Sequence, residues 1–175
     1  MIRLPTAFFV FATLAIALAL LPGKAAAQSA EPRLVAQFGA WGAYTASPGG
    51  KKVCFALAKP ASSKTNPANR PRDPGYLFIS TRPAEGVKQE VSANYGYPVK
   101  GEGDLEVGTS RFVLYTQGEG GWIKNAAEEA GLVEMMRKGA QVIVKGKSAR
   151  GTETTDVYTL QGISQALDRA ATECK

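Results

Sequence analysis

The chain has 175 residues, with 21 lysines and arginines against 15 acids, a formal net charge of +6 and no histidine. A length of this order suits one domain with its own core. The missing histidine excludes Ser-His-Asp and Cys-His catalysis and histidine-based zinc sites, and the basic residues are spread too evenly for a nucleic-acid surface.

Residues 1–27 read as a signal peptide. Arg3 precedes an apolar run from Ala7 to Leu21, and Ala25-Ala26-Ala27 offers the small-x-small pattern that is cut after, ahead of Gln28. The alternative, an uncleaved anchor, would need roughly 20 apolar residues to span a bilayer. The leader carries Arg3 and Lys24 and no acid, so cleavage leaves a smaller positive excess. Residues 28–175 then form one exported domain with no transmembrane segment. It would be periplasmic or envelope-associated, or secreted.

After a polar arm, "RLVAQFGAWGAYTA" reads as a first strand anchored by Val35, Phe38, Trp41 and Tyr44, and Ser47-Pro48-Gly49-Gly50 as a turn. "KKVCFALAKP" is a strand with unlike faces. Val53, Phe55 and Leu57 lie on one, and Cys54, Ala56 and Ala58 on the other. Residues 59–75, "KPASSKTNPANRPRDPG", hold four prolines and almost nothing apolar. That composition predicts a mobile, projecting basic loop that can be deleted without harm to the fold. Its Lys64, Arg70 and Arg72 are candidate partner-binding residues.

Short strands follow at 76–82, 87–94, 104–108 and 111–117, separated by turn residues, a spacing that suggests a sandwich or barrel. Asn125, with Glu128 three residues on, predicts a capped helix. Its apolar stripe is Ala126, Ala130, Val133 and Met136, and Gly139 is its stop. Two more strands read as a hairpin turning at Arg150-Gly151. A final helix from about Gly162 puts Ile163, Ala166, Leu167, Ala170 and Cys174 on one stripe.

Two cysteines in an exported chain usually pair, the alternative being two free buried thiols. The small residues of the last helix, Ala166 and Ala170, suit the strand face of Cys54, Ala56 and Ala58. Close packing of this kind would bring Cys54 and Cys174 within the reach of about 7 Å that a disulfide requires.

Other motifs carry less. Gly146-Lys147-Ser148 looks like the end of a P-loop, but Gln141 stands where that loop needs its first glycine, and the stretch alternates like a strand. Glu102, Asp104 and Glu106 would share one side of a strand without calcium-loop spacing. Glu128, Glu129 and Glu134 fit an exposed helix surface better than a glycosidase pair. Trp122, in "GEGGWIKN", is either a loop anchor or a partner contact, and it completes the candidate binding set. Tyr95 and Tyr97 in "NYGYPV" read as packing. No catalytic, metal or cofactor residue is assigned.

Several segments resemble the invasion-associated locus B family of exported bacterial proteins. They are "FGAWGAY", "KVCFALA", "RPAEGVKQEVSANYGYPVK" and "GLVEMMRKGAQVIVKGKSARGTETTDVYTLQGISQAL", followed by a terminal cysteine. Together they cover most of the exported region apart from residues 59–75. The resemblance implies export and a role in host-cell interaction, and it brings no catalytic residue to carry over.

The expectation is therefore a mostly-β, sandwich-like single domain with a mid-chain helix and a C-terminal helix tethered by Cys54–Cys174. It would be a non-enzymatic protein binding an envelope or host-cell protein or glycan. A carboxylate-dependent hydrolase of envelope polysaccharide and a structural or chaperone-like envelope component are the alternatives.

Overall fold

The computed structural model describes residues 30–175, so the leader and its cleavage site before Gln28 lie outside the described residues. The described chain is mostly β. Eleven strands join in one antiparallel sheet: β1 Arg33–Phe38, β2 Trp41–Ala46, β3 Val53–Ala58, β4 Ser62–Asn66, β5 Tyr76–Arg82, β6 Val87–Asn94, β7 Gly103–Val107, β8 Ser110–Gln117, β9 Gly120–Ile123, β10 Gln141–Lys147 and β11 Glu153–Thr159. The order across the sheet is β1-β2-β3-β5-β6-β9-β8-β7-β10-β11-β4. Two helices, α1 Glu129–Lys138 and α2 Ile163–Glu173, complete the fold.

The sheet curls until its two halves face each other, as the sandwich-like reading anticipates. Trp41, Ala56, Leu77 and Val91 from one half share a core with Leu105, Leu114, Val142 and Tyr158 from the other. Near the closing seam, the Trp41 indole N–H in β2 donates to the Thr159 carbonyl of β11 at 2.8 Å. These strands stand second and tenth in an eleven-strand order, so this bond ties together the two ends of the sheet.

The stretch expected as one first strand is two. Gly39 adopts φ +58°, a left-handed conformation that glycine tolerates best, and reverses the chain between β1 and β2. The glycine-rich "GEGGWIKN" supplies a strand, β9, between β6 and β8.

The 59–75 segment is not a projecting loop. Its first part is β4, which pairs with β11 from Asn66 opposite Glu153 to Ser62 opposite Val157. Its proline-rich return then docks on the turn after β6, where Asp73 N–H donates to the Gly96 carbonyl at 3.3 Å. Composition misleads here because an edge strand can be held by its backbone ladder alone and needs no apolar face.

Asn125 caps through its side chain as expected, accepting from Ala127 N–H at 3.3 Å, with a short 3-10 turn at Ala126–Glu128 before α1. The buried face of α1 is Leu132, Val133 and Met136, whereas Ala126 and Ala130 stay exposed.

The buried stripe of α2 matches the expected Ile163, Ala166, Leu167 and Ala170, and the helix packs on β2 and β3. Ala43, Cys54 and Ala170 form a small cluster there with Cys174 against it. The absence of bulk lets helix and strands approach until the Cα atoms of Cys54 and Cys174 are 5.9 Å apart, and the two are disulfide-bonded. Among the described residues no helix is long and apolar enough to cross a membrane.

Candidate functional site

Three polar segments meet at one end of the curled sheet. They are the return from β4 to β5, the 96–98 turn after β6 and the tip of the β10–β11 hairpin. Between them lies an open groove of about 1220 Å³. Arg70, Arg72 and Arg150 line it together with Tyr97, Asp73 and Glu119. A second hollow of about 520 Å³ lies along β4, shares Arg70 and Arg72 with the first, and adds Lys64.

The walls are fixed by ordinary bonding. Tyr97 Oη and Thr154 Oγ1 are 2.6 Å apart, which ties the turn to β11. Val99 bridges to Ser148, and Lys100 N–H donates to the Lys147 carbonyl at 2.7 Å. At the hairpin tip Gly151 N–H donates to the Ser148 carbonyl at 2.9 Å, and the Ser148 hydroxyl accepts from Thr152 N–H at 3.2 Å. Arg70 N–H donates to Thr65 Oγ1 at 3.1 Å, anchoring the return to β4. Burial pushes the Tyr97 phenol up from its usual range by disfavouring the charged form.

The three arginines divide by role. Arg72 turns inward, its side chain 10% exposed, and pairs with the Asp156 carboxylate, itself 1% exposed. It also donates to the Tyr95 carbonyl at 2.6 Å and to Ser63 Oγ at 3.1 Å. Its hydrogen-bonding capacity is largely spent on holding β4, β11 and the end of β6 together. Arg70 and Arg150 are exposed, and among the described residues neither guanidinium has an ion-pair partner. Lys64 on β4 is likewise exposed, with no ion-pair partner among the described residues.

Of the sequence candidates, the structure brings together Lys64, Arg70 and Arg72 but not Trp122. Trp122 lies on β9, on the face opposite the buried Gly121 and Ile123. There it stacks on Tyr115 with ring centroids 5.5 Å apart. Another aromatic row, Tyr44, Phe55, Phe78 and Tyr76, runs across β2, β3 and β5 with successive centroids 5.4 to 6.2 Å apart. The residue that sequence reasoning missed is Arg150, which stands eighty positions from Arg70. The "RG" turn marked a hairpin tip, but nothing in the chain announced which loop it would face.

The acids considered for catalysis or calcium are dispersed. Glu102 pairs with Lys124 at 2.6 Å, Asp104 with Arg111 at 2.7 Å and Glu106 with Lys145 at 2.8 Å. On α1, Glu134 lies 3.8 Å from Arg137, and Glu129 accepts from Val91 N–H at 3.0 Å. Among the described residues no group of three metal-ligating side chains comes together. Gly146 of the P-loop-like stretch leaves room for a ring: a Cβ there would lie 2.5 Å from Tyr95 Cε1.

No protein-family model matches the chain, and neither a curated protein nor a solved structure matches it.

Proposed function

We propose that this is an exported binding protein of the periplasm or cell envelope, acting by contact and not by turnover. The observation that carries the reading is the groove in which Arg70 and Arg150 are presented without ion-pair partners among the described residues, on walls fixed by hydrogen bonds. Exposed guanidiniums on a rigid frame are suited to bidentate capture of anionic groups, and loops held by a scaffold are where binding residues concentrate. The disulfide suits an oxidising compartment outside the cytoplasm. The resemblance to the invasion-associated locus B family points to host-cell interaction as the biological context.

The test is a crosslinking pull-down from envelope fractions and from host-cell surface material, using the native protein beside the double variant Arg70→Glu, Arg150→Glu. A component that crosslinks to the native protein and is lost with the variant supports the reading. Equal recovery by both would remove the groove from consideration.

A second reading rests on Asp73 and Glu119, which line the same groove, and calls for a turnover assay. Two acids in a cleft are the elements of a glycoside hydrolase. If peptidoglycan or another envelope glycan is turned over, and Asp73→Asn or Glu119→Gln abolishes it, the protein is an enzyme.

A further inference from the structure

The groove runs beside an open sheet edge. β4 is the last strand in the order and, among the described residues, pairs only with β11. Among the described residues, the backbone groups on its other side have no backbone partner. Its side chains, Ser62, Ser63, Lys64, Thr65 and Asn66, include none that is apolar.

We infer that β4 and the adjoining groove take an extended acidic polypeptide segment, added to the sheet as a further strand with its carboxylates turned towards Arg70 and Arg150. This rests on the groove being the binding site, and it adds the class of partner and the mode of attachment.

An unpaired strand edge can be satisfied along its length by another peptide backbone, since a glycan has no matching ladder of N–H and C=O groups. Side chains of an added strand alternate between the two sheet faces. Ser63 and Thr65 stand opposite the buried Asp156 and Thr154, so their face of the strand is the groove face. Every second side chain of an added strand would therefore point towards the groove cations.

Charge decides between partners. A second copy of this chain pairing edge to edge about Lys64 would set like charges against each other, which disfavours self-association. On the groove face an acidic segment meets Arg70 and Arg150, which have no ion-pair partner among the described residues, while Lys64, between Ser63 and Thr65 in the alternation, lies on the other face. Because no apolar anchor is present on β4, the attraction is largely electrostatic and weakens as salt rises.

The test follows backbone amide exchange across the full exported chain with three probes: a short peptide alternating glutamate with threonine, its glutamine counterpart, and a galacturonate oligomer. The glutamate peptide should bind and slow exchange at amides within Ser62–Asn66. The glutamine peptide should bind about tenfold more weakly or worse, as should the glutamate peptide to the Arg70→Glu, Arg150→Glu variant. Melting temperature confirms that the variant is folded, and Lys51→Glu, in the turn before β3, serves as a charge-reversal control that leaves binding unchanged. If the galacturonate oligomer binds in an Arg70- and Arg150-dependent way while the β4 amides exchange as before, the peptide inference fails and the groove reading stands. If neither acidic probe binds, or the charge reversals change nothing, both fail.

Discussion

The Arg72 guanidinium donates to the Asp156 carboxylate in a buried ion pair at the mouth of the curled sheet. The same guanidinium reaches Ser63 on β4 and the Tyr95 carbonyl after β6. One side chain thus holds the edge strand, its neighbour and the opposite half of the sheet.

Arg72→Ala should destabilise the protein by about 3–5 kcal/mol, because Asp156 would be left buried and unpaired. Urea unfolding measures this. Deleting residues 61–72 should be at least as damaging, since it removes β4 and Arg72 together. A loss below about 1 kcal/mol for Arg72→Ala would show that the pair is dispensable and would return Arg72 to the binding set.

Replacing both Cys54 and Cys174 by alanine should lower stability by about 2–5 kcal/mol, since the bridge spans a sequence separation of 120 residues. The loss should be read by thermal unfolding under oxidising conditions. Under reducing conditions the native and double-variant proteins should melt alike. Native protein that labels with a thiol reagent would contradict the bridge.

Tyr95 fills space that glycines on three strands leave open: Gly103 on β7, Gly121 on β9 and Gly146 on β10. Gly146→Ala should therefore cost about 1–3 kcal/mol through overpacking against the ring. Combined with Tyr95→Ala, the two losses should sum to less than their separate values, because the clash disappears with the ring. Strict additivity in a double-mutant cycle would show that the glycine and the ring do not compete for space.

Burial holds the Tyr95 and Tyr158 phenols well above their usual range. An acid raised on folding keeps its proton in the native state after the unfolded chain has lost it. This stability is fully present below about pH 10, the unfolded tyrosine value, and falls as pH rises from there towards the folded values. Phenolate absorbance during alkaline titration should reach the amplitude of all six tyrosines only when the protein unfolds. Among the described residues Tyr158 Oη is buried without a hydrogen-bond partner, so Tyr158→Phe should be neutral or stabilising by about 1 kcal/mol and should soften the alkaline fall. Full phenolate amplitude from the folded protein would refute the assignment.

Local periodicity made the α2 stripe and the unlike faces of β3 legible, because helix and strand spacing fix which side chains share a face. Those two patterns, with a cysteine on each, were enough to foresee a covalent tether across a sequence separation of 120. The basic character of residues 59–75 was equally legible. What the chain could not disclose was that β4 would add to β11, that Arg72 would be withdrawn to Asp156, or that Arg150 would stand across the groove from Arg70. Each depends on a partner distant in sequence, and composition reports what a segment contains without reporting which groups will desolvate or pair with it. Only the pairing of β4 with β11, and the curl that sets both against the turn after β6, brings those groups together. That packing divided three similar arginines into one that is paired inside the fold and two that are left exposed.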